Sequence, residues 1–138
     1  KILKVIRHGN DWKLWVLCDR DPVENWVDGR VTLLGDAAHP MMQYYAQGAC
    51  MAMEDAVCLS HMMDRHKGDI DLAFAAYNDQ RMIRTARVQL GARAIGDHIY
   101  HPDGAHARVR NHIMGNMTVE DYYNSLEWLY GGTGLDEN

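Results

Sequence analysis

Gly29-Arg30-Val31-Thr32-Leu33-Leu34-Gly35-Asp36-Ala37-Ala38-His39-Pro40, followed by Gln47-Gly48-Ala49-Cys50-Met51-Ala52-Met53-Glu54-Asp55-Ala56, decides how this chain is read. Val31 to Leu34 is a short apolar run. Periodicity alone does not separate such a run from a buried helical turn, but its length and the flanking Gly29 and Gly35 favour a strand. The strand delivers a Gly-Asp pair to a loop, and Gly48 then opens a long helix. That arrangement suits a dinucleotide, with a carboxylate for sugar-like hydroxyls and free backbone N–H groups for negative charge.

Outward from this centre, residues 1–17 read as a β-hairpin. Ile2, Leu3, Val5 and Ile6 would face Trp12, Leu14, Trp15 and Val16 across the turn signal His8-Gly9-Asn10-Asp11. Cys18 to Trp26 reads as a connection. After Gly48, Cys50, Met53, Ala56, Val57 and Met63 suit one apolar helix face, with Glu54, Asp55 and Asp64 elsewhere. Lys67-Gly68-Asp69 ends that helix and caps the next. The second helix runs from Leu72 to about Tyr100, with Leu72, Ala75, Ala76, Ile83, Leu90 and Ile95 among its apolar positions. Gly91 and Gly96 make it prone to bend or break. A polar loop follows around His101-Pro102-Asp103-Gly104. Thr118-Val119-Glu120-Asp121 caps a terminal helix with Tyr122, Leu126, Trp128 and Leu129, which Gly131-Gly132-Thr133-Gly134 stops.

The predicted class is α/β, α+β-like in this piece: a hairpin, a short strand, then mostly helix. Three regions are expected: 1–26, the end of a sheet and a connection; 27–66, the Gly-Asp strand, loop and helix; and 67–138, a helical region. The 138 residues suffice for one modest domain. A net charge of −5 offers no basic stripe for nucleic acid. No apolar run approaches the roughly 20 residues of a membrane span. Three cysteines without CxxC spacing read as reduced thiols in a cytoplasmic protein. The chain opens on Lys1 rather than Met, so it is expected to be part of something longer.

The quoted segment resembles the Gly-Asp motif of the FAD-dependent aromatic hydroxylases, the single-component flavoprotein monooxygenases. Within that family the likeness is to the 3-hydroxybenzoate 6-hydroxylases. It rests on residues 29–59, Gln43-Tyr44 and Tyr122-Tyr123, and extends from about Trp12 to Leu135. The resemblance implies the C-terminal part of an FAD-binding Rossmann-like fold. It implies FAD as cofactor, NADH as electron donor, and a small aromatic acid and O2 as substrates. The implied reaction converts 3-hydroxybenzoate to gentisate, with salicylate and 6-hydroxynicotinate hydroxylation as alternatives.

By the same resemblance, Gly35, Asp36, Gln47, Gly48, Ala49 and Cys50 would bind the cofactor. Asp36 would take a ribityl hydroxyl, and the amides of Ala49 and Cys50 would lie near the pyrimidine end of the flavin. The loop with Pro40, Met42 and Tyr44 would line the substrate pocket. Many family members carry proline where this chain has Gln43, whose amide can donate and accept, so Gln43 is the local candidate for substrate contact. The Gly-x-Gly-x-x-Gly fingerprint for the pyrophosphate is not among these residues. The piece alone is therefore expected to be inactive.

Several positions have a second reading. Asp36 after an apolar strand also suits a turn cap. His39 reads either as catalytic beside the flavin loop or as a histidine bonding backbone at a bend. Of Tyr44 and Tyr45, one lines the pocket and the other packs. Arg81, Arg84 and Arg87 suit a solvated face, with Arg81 read as structural. No metal site is expected, because His61 and His66 are five apart rather than the four that pairs ligands on a helix. A rival from another class is a flavin-free helical module. A homodimer through the C-terminal helices is compatible with either.

Overall fold

The computed structural model describes residues 1–135, so the last three residues of the expected region 67–138 lie outside the described residues. The chain runs α1 (Ile2–His8), β1 (Val27–Asp28), β2 (Val31–Thr32), α2 (Gly48–Arg65), α3 (Ile70–Ile95), α4 (Gly104–Gly115) and α5 (Val119–Tyr130). Two single turns of 3₁₀-helix, Gly35–Ala37 and Gln43–Tyr45, punctuate the β2–α2 loop, and a π-helical turn, Gly96–Tyr100, extends α3. As expected, the structure is mostly helical; its strands are one small antiparallel pair.

The centre is an antiparallel pair of helices. α2 buries Met51, Asp55, Cys58 and Met62, steps of four, three and four residues that trace one face. α3 buries Ala73, Tyr77, Arg81, Thr85, Val88 and Ala92 along the matching face. The Asp69 side chain caps α3 by accepting from the Leu72 N–H at 3.2 Å. Cys58 and Met62 meet Ala73 and Tyr77 in one apolar cluster, with Trp26, Ala38 and Leu135. Met51 meets Val88 and Leu129 in a second. Between the two clusters the helix interface is charged.

That charged layer corrects the expected helix faces. Met53 and Val57 on α2, and Leu72, Ile83 and Leu90 on α3, stand exposed. Asp55 and Arg81 occupy the buried face instead, because each neutralises the other there. A reading that turns every charge outward rotates both helices the wrong way.

The hairpin also lies elsewhere. Residues 2–8 form α1, and the strand pair is β1–β2, with Val27 opposite Thr32 across Gly29-Arg30. Ile2, Leu3, Trp12, Leu14 and Val16 are exposed. Among the described residues no element covers these side chains, and an isolated strand pair is at best marginally stable in water, so the expected pairing is absent here.

Gly91 does not break α3, and at Gly96 the helix widens rather than ends. α4 falls in the region expected to be helical, at a place where no separate helix is assigned from the sequence. It buries no residue, and Asp103 gives it no side-chain cap, so its sequence lacks both usual signals. The cap of α5 is as expected: Thr118 and Asp121 form a reciprocal capping box.

The connection before β1 is tied along α3. Arg93 bonds Asp19 and Asp21, each at 2.5 Å. Gln89 donates to the carbonyls of Arg20 and Pro40, at 3.2 and 3.0 Å. Asn78 accepts from Trp26 N–H and donates to the Glu24 carbonyl, at 2.9 and 3.0 Å. These bonds hold the strand pair against the helices and set where β2 releases the Gly-Asp loop.

Candidate functional site

The end of β2 and the start of α2 face each other across an open cleft of about 510 Å³. Asp36, Met41, Met42, Gln43, Ala46, Gln47, Gly48, Ala49 and Ala52 line it. Gly35 has φ +60°, and a Cβ there would lie 3.2 Å from Ala52 Cβ, so only glycine lets the chain turn this close to α2. The turn puts the Asp36 carboxylate at the mouth of the helix. A Cβ on Gly48 would come within 3.9 Å of Asp36 Oδ1. Gln47 is the N-cap of α2, and no side chain caps that helix end. The first N–H groups of an uncapped helix lack intrahelical partners and carry partial positive charge.

Behind the cleft, Asp55 joins three elements. It is 0 % exposed, and its Oδ2 accepts from Gly35 N–H at 3.0 Å and from His39 Nε2 at 2.6 Å. Its Oδ1 accepts from Arg81 Nε at 2.8 Å. Arg81 also donates to Glu54 at 2.7 Å. Arg84 grips both Glu54 oxygens, at 2.8 and 2.9 Å, and donates to the carbonyls of Trp128 and Leu129 at the end of α5. Burial pushes the Asp55 carboxyl up, but the bonds from His39, Arg81 and Gly35 outweigh it, holding the group below its ordinary range. Burial likewise works against Glu54, and the two arginines pull it down. Burial, with Asp55 nearby, raises the Tyr77 phenol, which donates to the Leu33 carbonyl at 3.2 Å.

The structure brings Asp36, Gln47, Gly48, Ala49, Met42 and Gln43 together at one cleft. Gly35 lies just behind it. Cys50 packs its side chain against the Met51–Val88–Leu129 cluster, leaving only its backbone toward the helix mouth. His39 is fully enclosed, bonded to a carboxylate rather than to backbone, with Nδ1 unpartnered. Pro40 stands behind the cleft lining, its carbonyl taken by Gln89. Tyr44 turns away from the cleft to His101, 2.6 Å from its hydroxyl. Tyr45 packs edge-on against Trp128, ring centroids 6.0 Å apart.

Sequence reasoning missed Asp55 as the support of the Gly-Asp turn. It also missed Tyr130, whose hydroxyl accepts from Gln47 Nε2 at 3.3 Å. The signal for the first was present. Arg81 falls in phase with Ala73, Tyr77, Thr85 and Val88 on α3, and an arginine inside an apolar stripe calls for a buried acid on the facing helix. Nothing local signals Tyr130, because it reaches Gln47 from 83 residues away.

A family model described as "FAD binding domain" matches residues 6–91. The 3-hydroxybenzoate 6-hydroxylase 1 of Aquipseudomonas alcaligenes is 58 % identical over 127 residues, which are 92 % of this chain and 32 % of that protein. The 6-hydroxynicotinate 3-monooxygenase of Bordetella bronchiseptica is 47 % identical over 76 residues, 54 % of this chain and 20 % of that protein. Among solved structures, Klebsiella pneumoniae HpxO complexed with FAD and uric acid superposes with a TM-score of 0.72 at 35 % identity, covering 78 % of this chain and 28 % of that one. The chain thus spans about a third or less of the length of each of these three proteins.

Proposed function

This chain belongs to the FAD binding domain family, and from that premise we propose that it is the flavin-proximal and C-terminal helical part of an aromatic-ring hydroxylase acting on 3-hydroxybenzoate. The reaction is 3-hydroxybenzoate + NADH + H⁺ + O2 → gentisate + NAD⁺ + H2O. One oxygen atom enters the ring para to the hydroxyl and the other leaves as water. When bound, FAD supplies the two-electron chemistry between NADH and O2.

The observation that carries the reading is the cleft, where an acceptor, an uncapped helix mouth and a donor–acceptor amide converge. Its residues fit the flavin end of FAD. The Asp36 carboxylate would accept from a ribityl hydroxyl of the bound cofactor. The N–H groups of Ala49 and Cys50, in the uncapped first turn of α2, would stabilise negative charge on the flavin ring. Gln43, exposed on the loop, contacts the phenol or carboxylate of the substrate, while Met41 and Met42 exclude water from that side. His39 holds the loop through Asp55, a positioning role. In this division 1–26 connects to the substrate-binding part, 27–66 meets the flavin and 67–138 buttresses it. A cytoplasmic setting and a homodimer through the C-terminal helices belong to the same proposal; among the described residues no helix is long and apolar enough to cross a membrane.

The test is an absorbance spectrum of the full-length gene product, then a substrate panel. A band at about 450 nm and gentisate from 3-hydroxybenzoate are expected. A colourless protein that FAD does not reconstitute would overturn the enzyme reading in favour of a flavin-free helical module. The likeness to the 6-hydroxynicotinate enzyme supports a second substrate reading. Product from 6-hydroxynicotinate or salicylate, with none from 3-hydroxybenzoate, would select it. Gln43→Ala should lower product per NADH with flavin content unchanged; an unchanged yield removes Gln43 from substrate contact.

A further inference from the structure

Gln43, Tyr44 and Tyr45 make a single turn of 3₁₀-helix. Such a turn has about three residues per revolution, so its three side chains fan out about 120° apart. Two of the three are seated on the long helix and its extension. A Cβ on Gly91 would lie 2.7 Å from Tyr45 Cε2, and a Cβ on Gly96 would lie 2.5 Å from Tyr44 Cε2. Each glycine is therefore a notch that a tyrosine ring fills. Tyr44 is fixed further by its 2.6 Å bond to His101 Nε2 and by Tyr100, whose ring centroid is 5.3 Å away. The π-helical turn Gly96–Tyr100 brings both of those partners round to it. Ala46, at φ +54°, closes the turn, its N–H bonded to the Gln43 carbonyl at 2.8 Å. With Tyr44 and Tyr45 committed to their notches, the third direction is left to Gln43, and that direction is the cleft.

We propose that Tyr44, seated at Gly96 and latched to His101, is a positioning residue that sets where Gln43 meets the aromatic substrate. The glycine notches of α3 and its extension thereby tune coupling and substrate fit. This inference rests on the hydroxylase reading above.

Gly96→Ala is the perturbation of choice. The residue is in a helical conformation, at φ −55° and ψ −54°, where alanine is the better helix former. The added methyl must push the Tyr44 ring outward by roughly 1 Å to reach ordinary contact, and a displacement of that size, passed on through Gln43 to the bound substrate, costs up to about 100-fold. Tyr44→Phe removes only the latch to His101. Gly115→Ala is the control, since a Cβ there meets nothing within 4 Å.

All three variants are made in the full-length holoenzyme and assayed with whichever aromatic acid the wild type hydroxylates. FAD content, the thermal midpoint, KM, kcat and product formed per reduced nicotinamide nucleotide consumed are measured. For Gly96→Ala we expect FAD content unchanged, the midpoint lowered by the overpacked Tyr44 notch, kcat/KM for hydroxylation down about 10- to 100-fold, and more hydrogen peroxide in place of product. Tyr44→Phe shifts coupling in the same direction by less. A Gly96→Ala enzyme matching Gly115→Ala in KM and coupling would overturn the inference. So would a loss explained wholly by lost flavin. A wild type that hydroxylates a different acid defeats only the substrate reading, and the comparison of variants stands with that acid.

Discussion

Asp55→Asn tests whether one buried carboxylate holds the Gly-Asp turn against the helices. The substitution keeps the shape and removes the charge. Asparagine offers one acceptor oxygen where Asp55 uses two, for Gly35 and His39 on one side and Arg81 on the other. Whichever way the amide is turned, its NH2 faces a donor. Arg81 keeps Glu54 but loses its fully buried partner. Breaking one partner of a buried pair costs about 3–5 kcal/mol, because the other charge stays uncompensated. At about 1.4 kcal/mol per factor of ten, that raises the open population of the α2–α3 pair roughly 140- to 3700-fold. Amide hydrogen exchange on the full-length protein reads this directly, as faster exchange in peptides from α2, α3 and the Gly35 loop. Peptides from α4, which buries no residue, serve as the internal reference. Adding Arg81→Met should return part of the loss, since the two sites are coupled. An acceleration below tenfold, with no rescue in the double variant, would refute the argument that Asp55 holds the turn.

Asp36→Ala should weaken FAD binding by about 10- to 150-fold, the value of one hydrogen bond to a charged group of about 1.5–3 kcal/mol, measured by flavin retention through dialysis and by titration of the apoprotein. Gly35→Ala should cost at least about 1–2 kcal/mol for the left-handed backbone, before the approach to Ala52 is counted. It should appear as a lowered thermal midpoint together with lost flavin, and an unchanged midpoint would contradict the geometry. Acid should loosen the helix pair. Glu54 and Asp55 are held below their ordinary range when folded, so their contribution is complete above the unfolded carboxylate pKa of about 4 and is lost as pH falls through the lowered folded values. Once the intrinsic pH dependence of amide exchange is divided out, protection in α2 and α3 should be flat down to about pH 5 and fall below it, less steeply in Asp55→Asn; equal pH profiles would count against the assignment.

The sequence by itself determined the local elements. The apolar run between glycines made an extended segment, Gly48 and Asp69 opened helices, and Thr118 with Asp121 closed a capping box. It also determined the cleft's lining residues in order, because Asp36, Gln43, Gln47, Gly48 and Ala49 lie close together along the chain and one loop gathers them. These features depend on hydrogen bonds and φ preferences that act over a few residues. What faced what was decided only in the tertiary structure. Asp55 and Arg81 are each costly to bury alone and are tolerated together, so the buried faces of α2 and α3 follow from a pairing 26 residues apart. α1 stands where apolar alternation predicted a strand, since that pattern needs a covered face to become a sheet. Gly91 and Gly96 read as weak points of a helix, yet they are the close-approach sites that the tyrosines of another loop require. Helix propensity describes a residue's own backbone. The partner that fills the space above it is chosen by the fold.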